Sequence, residues 1–282
     1  MDAFAKWLSA FRRYLVNVAA CLFLPLLALG SVKCRAILGE IPGRLGWRKP
    51  VKGKRKGPEP CIPSTGVEDL IGEEAEARVV APDGVDGNVS GYELLLIGAL
   101  ARRVGKSACF EIGTFDGRTT LNLAANTPSE CHIYTLDLPA SGMGDTGLQI
   151  AQADAKYIDK PGSGARFRES LYATRITQLL GDSARFDFGP YEGKCDLVFV
   201  DGAHSYDYVK SDTEVALRLL KPDGGVILWH DYASPWWPGV TRALNELYAD
   251  RPEFQSMRHI KGTTLVVWEK GAEEGGGRRE ES

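Results

Sequence analysis

The segment that most constrains the fold is a glycine-containing turn that follows a short apolar stretch. It has the pattern Glu-x-Gly-x-x-x-Gly and runs from Glu111 to Gly117. Residues 108–110 before it are apolar, as in a buried strand, and residues 119–125 after it predict the first turns of a helix. A strand, a glycine turn and a helix N-terminus form a binding place for nucleotide-like ligands. A tight turn that binds no ligand is the open alternative.

The spacing and charge of this turn discriminate between nucleotide-like ligands. The spacing differs from the Gly-x-Gly-x-x-Gly pattern that admits a pyrophosphate. The acidic side chain of Glu111 would repel a phosphate, but it suits an ammonium group. The turn therefore favours S-adenosylmethionine, which carries an amine and a sulfonium, over a dinucleotide. We predict that Glu111, Gly113, Thr114 and Gly117 bind this cofactor, with the glycines allowing a close approach of the backbone.

The rest of the chain from residue 91 alternates between strand and helix patterns. Strands are predicted over 108–112, 133–136, 195–200 and 226–229, helices over 91–103, 118–126, 149–158, 206–220 and 240–248, and a hairpin over 254–260 and 263–268. Residues 173–180 fit either element. This alternation predicts an α/β fold with a parallel sheet covered on both faces, to which the hairpin adds an antiparallel edge strand.

Polar side chains follow the predicted strands, at the carboxyl ends where ligands bind to an open parallel sheet. Asp137 lies about twenty residues past the glycine turn, where a carboxylate can accept hydrogen bonds from both ribose hydroxyls. Asp182 is placed to meet the adenine amino group. Asp201 and the pair His230 and Asp231 follow the next two strands. We therefore predict that Asp137, Asp182 and Asp201 contact the cofactor.

Two motifs carry a resemblance to a known family. They are Asp201-Gly-Ala-His204-Ser-Tyr206 and His230-Asp231-Tyr. With their flanking residues they resemble class I S-adenosylmethionine-dependent methyltransferases, in particular the subgroup of macrolide-sugar O-methyltransferases and cephalosporin-hydroxylase-like proteins. The resemblance covers roughly residues 91–270. It implies a Rossmann-like, doubly wound sheet of seven strands with the last one antiparallel, and in many members a divalent metal.

Methyl transfer to a hydroxyl requires that the hydroxyl proton be removed, and the predicted strand ends offer groups for this step. Asp201 and Asp231 are predicted to hold Mg²⁺, a cation that prefers oxygen ligands, if the protein requires a metal. His204 is predicted to be the general base, since the unperturbed pKa of histidine is near 6.5. His230 fits three roles: a third metal ligand, a base, or a group that orients Asp231.

The expected reaction is O-methylation of a hydroxyl on a small molecule, a sugar or a glycolipid. Two alternatives stay open. One is a hydroxylase-like member of the same fold, which would need a redox metal centre. The other is a cofactor-binding scaffold at a membrane that has lost its chemistry, although the full set of acids and histidines argues against it.

An apolar run near the N-terminus is followed by a basic strip. Residues 14–32 carry no charge and are about as long as a bilayer core is thick. Residues 44–56 are rich in Lys and Arg, which attract anionic lipid on the cytoplasmic side. We favour a membrane anchor with the catalytic domain in the cytoplasm. A cleaved signal peptide and an amphipathic helix remain alternatives, because Pro25 interrupts the run.

These patterns divide the chain into four parts. They are an apolar helix over 1–39, a basic linker rich in Gly and Pro over 40–90, the methyltransferase domain over 91–270, and a disordered tail over 271–282. The formal net charge of −3 predicts no overall affinity for nucleic acid. None of the six cysteines has metal-ligand spacing, which indicates a reducing compartment without a disulfide framework.

Overall fold

The structure, a computed structural model, describes residues 57–72, 74–159 and 162–271. The predicted N-terminal helix, the basic strip 44–56 and nearly all of the predicted tail therefore lie outside the described residues. Among the described helices, none has the length and apolar character needed to cross a membrane.

One mixed sheet forms the centre of the described residues. Its eight strands are β1 (Ser64–Thr65), β2 (Ala108–Ile112), β3 (His132–Asp137), β4 (Ile176–Leu180), β5 (Leu197–Val200), β6 (Gly225–Trp229), β7 (Arg258–Ile260) and β8 (Val266–Lys270). Their order is β1-β7-β8-β6-β5-β2-β3-β4. Strand β8 pairs antiparallel with both β6 and β7, and the remaining pairs are parallel. The antiparallel strand therefore lies toward one edge, as the hairpin pattern predicts.

Helices cover both faces of this sheet. They are α1 (Glu68–Ile71), α2 (Gly91–Val104), α3 (Arg118–Asn126), α4 (Ala155–Ile158), α5 (Ala165–Arg168), α6 (Tyr206–Leu219) and α7 (Pro238–Asp250). Side chains of β5 alternate between two cores, as the two-residue period of a strand requires. Val198 and Val200 pack with residues of α6 and α7, whereas Leu197 and Phe199 pack with residues of α2 and α3. The sheet is thus doubly wound, and burial of each such side chain contributes about 1.5–3 kcal/mol.

Most predicted elements are present, and the differences lie in short ones. The implied count of seven strands is wrong because Ser64 and Thr65 form an eighth, parallel to β7. Two residues are too few to produce an alternating pattern, so this stretch has the composition of a loop. The predicted helix over 149–158 is a 3₁₀ turn followed by α4, and 173–180 is a 3₁₀ turn followed by β4.

The described part of the predicted linker is attached to the domain through a buried tyrosine. The backbone N–H groups of Cys61 and Ile62 donate to the hydroxyl of Tyr232, at 2.9 and 3.0 Å. That hydroxyl donates in turn to Asn245 Oδ1 of α7 at 2.6 Å. Cys61 and Ile62 are therefore fixed beside α7, while the domain boundaries themselves stay a prediction.

A buried arginine fixes the residues just before α2. Arg118, the first residue of α3, is 2% exposed. Its guanidinium donates to three backbone carbonyls, those of Ala81 at 3.0 Å, Pro82 at 2.7 Å and Val89 at 2.9 Å. Because a buried guanidinium needs hydrogen-bond acceptors, this contact holds residues 81–89 against the glycine turn.

Candidate active site

A cavity of about 510 Å³ opens at the carboxyl ends of β2 to β6. Seven of the predicted site residues line it: Gly113, Asp137, Asp182, Asp201, His204, His230 and Asp231. The cavity also has an aromatic wall, formed by Tyr157, Trp236 and Trp237. Parallel strands bring their carboxyl ends to one edge, so residues far apart in sequence meet in one space.

Gly113 joins the glycine turn closely to the end of β5. Its φ angle is +101°, and a Cβ added there would lie 2.1 Å from the carbonyl oxygen of Asp201. No other residue fits this position, because a side chain would collide with the backbone and the φ angle favours glycine. This close approach sets Asp201 beside the turn.

Three residues predicted to bind the cofactor do not line the cavity. These are Glu111, Thr114 and Gly117; Glu111 is 1% exposed. The Glu111 carboxylate accepts hydrogen bonds from Thr120 and from Thr135, the latter at 2.6 Å. Burial raises the pKa of Glu111 to about 8, against the opposing effect of these hydrogen bonds. The Glu111 carboxyl therefore lies behind the cavity wall, and its contact with the cofactor stays a prediction.

Asp137 is oriented by two side chains that belong to other segments. The hydroxyl of Ser163 donates to Asp137 Oδ2, and Gln178 of β4 donates to Ser163 Oγ at 2.7 Å. Neutral donors of this kind fix a carboxylate without neutralising its charge. Asp137 is thus oriented as a hydrogen-bond acceptor in the cavity wall.

Asp182 is held in the same manner at the end of β4. It accepts hydrogen bonds from the Tyr208 hydroxyl at 2.7 Å and from the backbone N–H groups of Gly147 and Ala184 at 2.6 and 3.0 Å. Burial and the bond to Asp182 raise the pKa of Tyr208, so its hydroxyl stays protonated and keeps donating.

His204 lies between two carboxylates. Its Nδ1 is 2.6 Å from Asp154 Oδ1, its Nε2 is 2.9 Å from Asp231 Oδ2, and its ring stacks on Trp237 with centroids 3.9 Å apart. Burial alone would lower the pKa of His204, but hydrogen bonds and charge from Asp154 and Asp231 outweigh it and raise the pKa to about 9. The ring is therefore an imidazolium at neutral pH, unlike the unperturbed histidine that the sequence suggests.

His230 lies between three carboxylates. Nδ1 is 3.0 Å from Asp201 Oδ1 and 3.3 Å from Asp231 Oδ2, and Nε2 is 3.5 Å from Glu93 Oε2. Burial would lower the pKa of His230, yet the charge of Asp201 and the hydrogen bonds with all three acids raise it well above its usual value. Both ring nitrogens have carboxylate partners.

Three of these side chains could hold a metal ion. Asp201, His204 and Asp231 each offer one ligand atom, and these atoms lie within 4.8 Å of one another. Asp231 has a φ angle of +63°, a left-handed conformation that is uncommon outside glycine and often found at functional sites. An imidazole with two carboxylates is a donor set that suits divalent cations, so the residues fit such an ion.

Two acids of the site are not singled out by the sequence. Asp154 is 3% exposed and precedes α4, and Glu93 is 5% exposed in the first turn of α2. Glu93 forms a capping box with Ser90, and that pattern marks the start of a helix rather than a site. No sequence signal identifies Asp154, because its contact with His204 joins residues 50 apart.

Comparisons with known proteins agree with this architecture. Residues 110–232, a little under half of the chain, match the family model described as a methyltransferase domain. No curated protein matches the chain. Among solved structures, the O-methyltransferase NovP is 16% identical, with a TM-score of 0.50 over 64% of this chain and 81% of its own. At this identity the similarity establishes a common fold.

Two further solved structures are similar over comparable lengths. The O-methyltransferase TomG from Streptomyces achromogenes, in complex with S-adenosylmethionine, is 23% identical with a TM-score of 0.46, covering 66% of this chain and 82% of its own. An O-methyltransferase from Bacillus cereus, in complex with S-adenosylhomocysteine, is 19% identical with a TM-score of 0.43. The match covers 68% of this chain and 83% of that protein.

The doubly wound sheet and the cavity at its strand ends are those of one class of fold. Residues 110–232 match a methyltransferase domain, and the chain has the fold of class I S-adenosylmethionine-dependent methyltransferases.

Proposed function

We propose that this enzyme transfers a methyl group from S-adenosylmethionine to a hydroxyl oxygen of a small molecule, a sugar or a glycolipid. The observation that carries the proposal is the shared cavity. Asp137 and Asp182 follow β3 and β4 on one side of β2, and the two histidines with Asp201 and Asp231 follow β5 and β6 on the other side. A cofactor site and a proton-accepting site are thus within one space.

The first half of the cavity fits the adenosyl group of the cofactor. We assign Asp137 as the acceptor for the ribose hydroxyls and Asp182 as the acceptor for the adenine amine. Gly113 has no side chain that could keep a ligand away from the turn. When bound, S-adenosylmethionine supplies an electrophilic methyl group on its sulfonium. The residues of this half bind and orient it.

The second half of the cavity fits the removal of the acceptor's proton. We propose that Asp201 and Asp231 hold a divalent cation such as Mg²⁺, with His204 beside them. Such an ion, when bound, supplies positive charge that lowers the pKa of a nearby hydroxyl. His204 Nε2 lies 2.9 Å from Asp231 Oδ2, and it would be available to accept the hydroxyl proton if that carboxylate held a cation instead. Asp154 holds Nδ1–H, which fixes the tautomer that this step requires.

Among the three roles open to His230, we propose that it orients Asp201 and Asp231. Both of its nitrogens have carboxylate partners, and Glu93 holds the far side of the ring. Glu93 is itself fixed by the Thr264 backbone N–H and hydroxyl, at 2.7 and 2.9 Å. His230 therefore acts through the acids and does not take the acceptor's proton.

We also propose that the enzyme works at a membrane, with its catalytic domain in the cytoplasm. The support for this is the apolar run 14–32 followed by the basic strip 44–56. A hydroxyl-bearing glycolipid is for this reason among the acceptor classes to be tested.

A labelled methyl donor tests the proposed function directly. The full-length protein is incubated with S-adenosylmethionine carrying a labelled methyl group and with fractions of metabolites, lipids and glycans. Labelled product should form with the wild type and not with Asp137→Ala or His204→Ala. The oxygen linkage is checked by mass spectrometry of the product. Label on carbon or nitrogen, or equal labelling by the variants, would overturn the assignment.

A further inference from the structure

The chain enters the described domain beside the wall of the cavity. Gly57 is the first described residue, and a Cβ added there would lie 3.8 Å from Cβ of Pro238. Pro238 is the first residue of α7, directly after Trp236 and Trp237, which line the cavity. The first described residue therefore packs against the start of α7, next to the aromatic wall.

The opening of the cavity carries exposed apolar side chains at this place. We call the opening formed by Trp236 and residues 86–88 the mouth. Trp236 is 71% exposed, although it lines the cavity, and Val85, next to the lining residue Asp86, is 55% exposed. An exposed tryptophan with an apolar ring and a polar N–H is typical of surfaces at a membrane–water interface.

Chain length limits how far the basic strip can lie from the mouth. Lys52, Lys54, Arg55 and Lys56 lie within five residues of Gly57, and five residues span at most about 18 Å. These four cations attract anionic lipid. A membrane that binds the strip is therefore held close to Pro238, whatever the conformation of the intervening residues.

We infer that the mouth faces an anionic membrane surface and that the methyl acceptor is an amphipathic molecule whose hydroxyl lies at that surface. The exposed Trp236 contacts the lipid, and the aromatic wall continues from the lipid surface into the cavity. An acceptor anchored in the bilayer would reach His204 without leaving the membrane. The acceptor class rests on the proposed methyl transfer, whereas the orientation of the mouth does not.

Quenching by brominated lipid tests the orientation on the full-length protein. Vesicles of phosphatidylcholine and phosphatidylglycerol are prepared with and without bromine on the acyl chains, which quenches indoles in contact with the lipid. The difference in fluorescence between the wild type and Trp236→Phe isolates the signal of Trp236. Trp268→Phe is the matched control, because Trp268 is 5% exposed on β8 and donates to the carbonyl of Glu253.

The Trp236 difference signal should lose most of its intensity in brominated vesicles, while the Trp268 signal should stay unchanged. A Trp236 signal that is unquenched on vesicle-bound protein would overturn the inference, as would a full-length protein that does not bind the vesicles. Calorimetric binding of S-adenosylhomocysteine is measured on the same samples. Normal cofactor binding with an unquenched Trp236 refutes the orientation alone, and absent cofactor binding with a quenched Trp236 refutes the methyltransferase site alone.

Discussion

The two halves of the cavity hold their carboxylates with different partners. Asp137 and Asp182 accept hydrogen bonds from hydroxyls and backbone N–H groups, which are neutral donors. Asp201 and Asp231 instead contact the imidazoles of two histidines. Neutral donors thus orient Asp137 and Asp182, whereas protonated rings lie against Asp201 and Asp231.

This difference indicates different tasks. A carboxylate held by neutral donors is ready to accept hydrogen bonds from a ligand without any rearrangement. A carboxylate paired with an imidazolium can exchange that partner for a metal ion, because both are cations that balance the same negative charge. Cofactor binding and chemistry should therefore be separable by mutation.

The largest expected effect is on turnover in the histidine half. His204→Ala removes the proposed proton acceptor, and loss of a general base typically lowers the rate by about 10²- to 10⁴-fold. The variant should bind S-adenosylhomocysteine as the wild type does. Turnover is measured with an acceptor from the labelling experiment. His259→Ala is the control, since that ring lies on β7 and contacts Thr263 O at 2.8 Å. Equal turnover rates for His204→Ala and His259→Ala would contradict the separation of cofactor binding from chemistry.

A smaller effect is expected on metal affinity. Asp231→Asn keeps a residue that tolerates the left-handed backbone but removes one charged ligand, so the affinity for Mn²⁺ or Mg²⁺ should fall by at least about tenfold. Calorimetric titration with each metal measures it. The exposed Asp250→Asn, at the end of α7, is the control. If both variants bind metal as the wild type does, the acids do not hold an ion.

A still smaller effect is expected from the carboxylate behind His204. Asp154→Asn keeps an oxygen that can accept a hydrogen bond from Nδ1–H but removes the charge, so turnover should fall by about tenfold. Binding of S-adenosylhomocysteine should not change. Asp159→Asn, an exposed acid of the same segment, is the matched control. An unaltered rate in Asp154→Asn would show that His204 does not depend on this partner.

The smallest effect concerns stability and separates Glu111 from the cavity acids. Burial raises its pKa to about 8 from an ordinary value of 4.5, so its contribution to stability is present below pH 4.5 and is lost as the pH rises through 8. Between pH 6 and pH 7 the free energy of unfolding of the wild type should fall by on the order of 1 kcal/mol relative to that of Glu111→Gln. Denaturant unfolding at several pH values measures the difference. If the free energies of unfolding of the wild type and Glu111→Gln change with pH in parallel, Glu111 is ionised when buried.

The elements of the fold are predictable from sequence where they are long and apolar. Strands β2 and β6 and helices α3 and α6 follow from local periodicity and from the turns that bound them. Strand β1 does not, because its two residues are defined only by pairing with β7. The 3₁₀ turns before α4 and β4 are likewise too short for a period to be recognised.

The site residues also differ in how far the sequence predicts them. Asp137, Asp182, Asp201 and Asp231 are predictable because each follows a strand, and strand ends share one edge of the sheet. The partners that set their chemistry are not predictable. His204 meets Asp154 across 50 residues, and His230 meets Glu93 of α2, so the raised pKa values arise from contacts that only the folded chain makes.

Binding of S-adenosylhomocysteine to Asp137→Ala tests the central claim most directly, since it needs no knowledge of the acceptor. Calorimetric titration should show saturable binding to the wild type and to His204→Ala. Removing the Asp137 carboxylate takes away the acceptor for the ribose hydroxyls and should weaken binding by about 2–4 kcal/mol. An unchanged dissociation constant for Asp137→Ala would contradict the assignment of this half of the cavity to the cofactor.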